Sequence, residues 1–170
     1  EPNRSASQAS SVLVVVDQDN LRIGGSRPVL DAAAAFVEHL PSSHAVGFIL
    51  LPQGTPSVEI GADRAGIAAL LRRLFGMYNA NNAPGVDELA VRTALHGVIG
   101  RLSAIEGRRT VVYLTDRLDR SISIADLAHR AALAGVVFYV VASDAPVIGA
   151  DTREATGPPG DEYDGLVGLA

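Results

Sequence analysis

Short apolar runs alternate along this chain with stretches whose apolar residues recur at helical spacing. Val12–Val16 is an unbroken aliphatic run with no polar alternation, the pattern of a strand buried on both faces of a parallel sheet. Arg27-Pro28 opens a helix with Ser26 as its N-cap; its apolar stripe is Val29, Ala33, Phe36, Val37 and Leu40, and Pro41 follows its end. Val46–Leu51 reads as a second buried strand. Beyond the Pro52-Gln53-Gly54 turn, Ser57–Ile60 reads as a short antiparallel strand at an edge. Asp63 caps a second helix with the stripe Ile67, Leu70, Leu71 and Leu74. Gly76–Gly85 is an Asn-rich loop, and Val86–Leu102 carries a third helical stripe. Thr110–Thr115 is a fourth strand. Ser123-Ile124-Ala125-Asp126 is a capping box for a fourth helix, and Val136–Ala142 is a fifth strand. A Pro- and Gly-rich loop then leads to Asp161–Ala170, the start of an apolar-faced helix that the last residue cuts short.

Strands alternating with helices predict an α/β, doubly wound, mostly parallel central sheet with one antiparallel edge strand and helices on both faces. Residues 1–11 are polar and rich in Ser and Ala, and read as a disordered linker or tag remnant rather than a signal peptide. Residues 12–170 form a single domain, as expected of a chain of 170 residues. The longest apolar runs fall far below the roughly 20 residues that span a bilayer, so no membrane insertion is expected.

Composition narrows the chemistry. With 48% apolar and 19% charged residues the chain can bury a core, which rules out a disordered or fibrous class. There is no cysteine, hence no disulfide framework, thiolate zinc site or cysteine nucleophile. All 14 basic residues are arginine, so a phosphate-loop lysine and a Schiff-base lysine are both excluded. A net charge of −5 without a basic stripe argues against a nucleic-acid partner.

In a doubly wound sheet ligands bind beyond the carboxyl ends of the strands, where the strand order reverses. After the first strand stand Asp17-Gln18-Asp19-Asn20; after the fourth, Thr115-Asp116-Arg117-Leu118-Asp119. If those strands are neighbours, Asp17, Asp19 and Asp116 meet in one crevice. Their mutual repulsion would be relieved by a hard divalent cation, Mg2+ first among them, or by arginines or protonation. The competing reading, which outweighs the metal site, is that these carboxylates cap strand ends, accept from backbone amides and pair with arginines.

The layout resembles the von Willebrand factor A fold, most closely the bacterial domains related to it. The likeness is carried by Val12–Asp19, by Ala45–Leu74 with its "GADRAGIAALLRRL" helix, and by "GRRTVVYLTD" and "AHRAALAGVVFYVV" between Gly107 and Val141. The resemblance implies an adhesion-type, protein-binding and non-enzymatic domain in an envelope or secreted, extracytoplasmic protein. It also implies a metal-ion-dependent adhesion site built on D-x-S-x-S, a loop threonine and a T-D-G turn. Asp17 and Thr115-Asp116 match that pattern. Asp19 and Leu21 replace its two serines, Arg117 replaces its glycine, and the Asn79–Val86 loop offers Asn79, Asn81 and Asn82 but no threonine. The site is therefore read as degenerate and able to stand metal-free. Asn20, Arg22, Asn79, Asn81, Asn82 and Arg117 are the expected contacts to an unidentified protein partner, because loops at strand ends carry function on a rigid scaffold.

"VVVDQDNL" also resembles the first strand of NYN/PIN-like ribonucleases, which gives the alternative of a metal-dependent ribonuclease using Asp17, Asp19 and Asp116. The D-x-x-D spacing of Asp116 and Asp119, and the lack of a basic groove, count against it. Gly24-Gly25-Ser26 reads as a turn rather than an anion cradle, and His39, His44, His96 and His129 show no ligand spacing.

Overall fold

A computed structural model of the chain describes residues 10–52, 57–61, 63–78, 88–116 and 124–142. Its centre is a five-stranded sheet with the order β3-β2-β1-β4-β5. The strands are β1 (Ser10–Asp17), β2 (His44–Leu51), β3 (Ser57–Val58), β4 (Arg108–Leu114) and β5 (Val136–Val141). Four are parallel; β3 alone runs antiparallel, pairing through Phe48–Val58 and Ile49–Ser57 at one edge. The helices are α1 (Arg27–His39), α2 (Arg64–Arg73), α3 (Glu88–Ser103) and α4 (Ile124–Leu133). The fold is thus the doubly wound α/β architecture that the alternating pattern predicts.

Side chains alternate across each strand, and the two faces bury separate cores. Val14, Val16, Phe48, Leu50 and Leu114 pack against α1 and α2, while Leu13, Val15, Ile49, Val111 and Tyr113 pack against α3 and α4. Because β1 is central, all of its residues are buried. No described helix is long and apolar enough to cross a membrane.

Several boundaries differ from the sequence reading. Ser10 and Ser11, assigned there to a linker, are buried in β1 opposite His44 and Ala45 on one side and Arg108 and Arg109 on the other. Hydroxyls on an otherwise apolar strand obscured its start, and pairing on both edges carries the ladder back to them. β2 and β4 begin at His44 and Arg108 for the same reason, and β4 stops at Leu114, one residue short of Thr115. α3 runs through Ser103. Ser26 precedes α1, but its hydroxyl makes no cap bond; Oγ instead accepts the Gly76 N–H at 2.8 Å. Asp63 caps α2 as expected, its Oδ1 accepting the Ala65 N–H at 2.9 Å. The Ser123 capping residue and the helix expected at Asp161–Ala170 lie outside the described residues.

Candidate functional site

Strand order places β1 beside β4, in register from Ser10–Arg108 to Val16–Leu114, so the two acidic segments do leave the sheet side by side at its carboxyl rim. Their side chains then part. Asp17 continues the face of Val15, which pairs with Tyr113, and it is fully buried. Its Oδ2 accepts three hydrogen bonds, from the Tyr113 hydroxyl at 2.5 Å, from Asn20 Nδ2 at 2.8 Å, and more weakly from Thr115 Oγ1 at 3.5 Å. Its Oδ1 is buried without a protein donor. Burial pushes the Asp17 carboxyl above the usual carboxylate range, the bonds from Tyr113 and Asn20 oppose that rise, and the charge of nearby Asp19 adds to it. Burial and the adjoining carboxylate hold the Tyr113 phenol far above its ordinary value, so it remains a donor at any physiological pH.

Asp116, next to Thr115 and of opposite parity, turns to the segment after β1. Its Oδ2 accepts the Arg22 N–H at 2.8 Å, and its own N–H donates to the Asn20 carbonyl at 3.1 Å. Asp19 lies in the 3-10 turn Gln18–Asn20, half-buried. Among the described residues no three His, Asp or Glu side chains gather in a way that could hold a metal ion. Asp17, Asp19 and Asp116 share a rim without forming such a group. Asp17, the last residue of β1, turns inward to Tyr113, whereas Asp116, two residues past the end of β4, turns to the Arg22 N–H and Asp19 sits in the 3-10 turn.

The donor set fits a resident divalent ion poorly. Asp17 Oδ1 is the orphaned oxygen a cation would take, whereas Mg2+ demands near-octahedral oxygen coordination. Leu21 is a fully buried core residue and offers no oxygen from its side chain. Asn20, expected to touch a partner, is buried instead and ties Asp17 to Asp116 through its side-chain amide and its carbonyl. Arg22 is half-buried at the rim. Asn79, Asn81, Asn82 and Arg117 lie outside the described residues.

A second feature of this rim was missed in the sequence. The segment 74–78 is laced to residues 18–23 by backbone bonds: Met77 N–H to the Gln18 carbonyl at 3.0 Å, Tyr78 N–H to the Leu21 carbonyl at 2.8 Å, and Ile23 N–H to the Tyr78 carbonyl at 3.0 Å. Gln18 Nε2 adds a bond to the Phe75 carbonyl at 2.9 Å. Gly76 makes the approach feasible, because a Cβ there would lie 2.4 Å from the carbonyl oxygens of Leu21 and Arg22. Three large apolar side chains are left facing solvent on these two segments: Ile23 at 62% exposure, Phe75 at 66% and Met77 at 52%. The usable signal was Phe75-Gly76-Met77-Tyr78, an apolar cluster following the last stripe residue of a helix and interrupted by a glycine. Tyr113 was equally legible, as the one polar-tipped aromatic in the fourth strand, two residues before Thr115 and so on its face. No family model matches the chain, and no curated protein matches it.

Proposed function

We propose that this is a non-enzymatic, protein-binding domain of the von Willebrand A type, with a degenerate strand-end site that works without metal. One observation carries the reading: one oxygen each of Asp17 and Asp116 is held by the rim's own donors, and the rim presents exposed apolar side chains. Asp17 accepts from Tyr113, Asn20 and Thr115, and Asp116 accepts from a backbone N–H. A catalytic carboxylate pair or a two-metal centre needs unengaged oxygens converging on one point. A binding surface needs exposed aromatic and aliphatic anchors on a fixed backbone, and Ile23, Phe75 and Met77 supply them. Arg22, next to Ile23 in the chain and half-buried at the rim, adds a side chain of the type enriched at interfaces.

The experiment is a selection of displayed peptides on the immobilised domain, followed by affinity measurement of the enriched sequences. Peptides that bind the native chain and lose at least about tenfold in affinity on Met77→Asp or Phe75→Asp, but not on Glu59→Ala just after the edge strand β3, would support the reading. Peptides indifferent to both rim substitutions would sink it.

A further inference from the structure

Phe75-Gly76-Met77-Tyr78 carries the one methionine of the chain, and the sequence holds neither cysteine nor tryptophan. The Met77 thioether is therefore the softest and most readily oxidised group in the protein. It also stands where a change in its chemistry would be felt. Gly76 aims its Cβ position at the Leu21 and Arg22 carbonyl oxygens, 2.4 Å away, and the side chains on either side of it, Phe75 and Met77, face solvent. Together with Ile23 they make up the apolar surface of the rim. The backbone beneath is tied independently of the Met77 side chain. The Met77 N–H donates to the Gln18 carbonyl at 3.0 Å, and the Phe75 carbonyl accepts from Gln18 Nε2 at 2.9 Å. A change confined to the Met77 side chain thus alters the surface and leaves the lacing in place.

We propose that Met77 is a reversible oxidation site that controls docking on this surface, with a hydroperoxide as the oxidant; the inference rests on the protein-binding reading of the rim. The sulfur lone pair attacks one oxygen of hydrogen peroxide, and an S–O bond forms as the O–O bond breaks. The departing hydroxide takes the proton carried by the transferred oxygen and leaves as water. Sulfur gives up two electrons and the peroxide is reduced. The product, a methionine sulfoxide, replaces an apolar anchor by a polar group whose desolvation on docking is costly. A dithiol reverses the step through the reductases that act on each sulfoxide epimer: two thiols become a disulfide and the oxygen departs as water. At 52% exposure the side chain is open to oxidant in the free protein, and a partner seated on the surface would shield it. Docking and oxidation therefore oppose each other.

Hydrogen peroxide should add one oxygen to the native chain, placed on Met77 by mass mapping, at a rate within about tenfold of that of free methionine. The oxidised chain should keep its far-UV circular dichroism and thermal melt and elute earlier from a phenyl resin under native conditions. It should bind the peptides selected on the native chain at least about tenfold more weakly. Dithiothreitol with both classes of methionine sulfoxide reductase should restore retention and affinity. Met77→Leu, whatever its starting values, should show no change in either on peroxide treatment. Unchanged peptide affinity after complete oxidation overturns the proposal, as does oxidation slower than the stated limit. Equal losses in Met77→Leu also overturn it, since the damage would then lie elsewhere. Should no peptide be enriched, the protein-binding reading fails by itself. Resin retention then decides: earlier elution of the oxidised native chain alone supports Met77 as the control on this surface, and unchanged elution overturns it.

Discussion

Asp17 reaches its position because β1 is the central strand, and its last residue falls on the pleat shared with Val15, beneath α3. An ionised carboxyl so placed loses its hydration and regains only part of it from Tyr113, Asn20 and Thr115. Its carboxyl titrates higher in the folded chain than in the unfolded one, so the folded state holds the proton more tightly. Stability is therefore greatest below the unfolded value and declines as pH rises through the folded value. Asp17→Asn keeps an oxygen for the Tyr113 hydroxyl and removes the charge. We expect it to lie within about 1 kcal/mol of the native chain in acid and to gain on it as pH rises. Asp17→Ala leaves the Tyr113 and Asn20 donors buried without an acceptor and should lose about 2–4 kcal/mol. Urea denaturation of the three proteins from pH 4 to 8 checks both statements; parallel profiles for the native chain and Asp17→Asn would remove the titration argument.

At the scale of elements, some of the long-range ties run from polar side chains to backbone. Arg64, at the first position of α2, donates to the carbonyls of Leu40 and Pro41 at 2.5 and 2.6 Å and also to that of His44, pinning α2 to the connection between α1 and β2. Arg64→Ala should lower stability by about 1–3 kcal/mol. Arg64→Lys should recover little, because one ammonium cannot reproduce a planar fork reaching three acceptors; thermal melts of the two variants decide it. These ties mark the boundary of what the sequence reveals. Elements with a strong period were readable: α2 with its Asp63 cap, the central strands and the antiparallel edge. Strand starts were not, since Ser10, His44 and Arg108 are polar residues recruited by pairing partners distant in sequence. Ser26 shows the same limit at one atom. Its place before α1 was legible, but its hydroxyl is taken by Gly76, fifty residues away.

For the whole molecule, the adjacency of β1 and β4 was the inference from which the candidate site was built, and the sheet has it. What the sequence could not convey is side-chain direction. Asp17 and Asp116 stand on neighbouring strand ends yet bond to different partners, Asp17 to Tyr113 and Asp116 to the Arg22 N–H. A protein built this way should give no saturable heat with Mg2+, Mn2+ or Ca2+ in calorimetry, and should leave single-stranded RNA intact in Mn2+. A titration heat that disappears in Asp17→Ala would reinstate the ion, and Mn2+-dependent cleavage abolished by Asp17→Asn would establish the ribonuclease.

The lacing of residues 74–78 to 18–23 has a thermodynamic corollary for association. Ile23, Phe75 and Met77 stand on backbone already fixed before any partner arrives. At these three positions docking would then freeze mainly side-chain rotamers, at about 0.5–1.5 kcal/mol each. These two segments would need no slow rearrangement on complex formation, and differences among ligands that dock on them would appear chiefly as differences in how long each one stays.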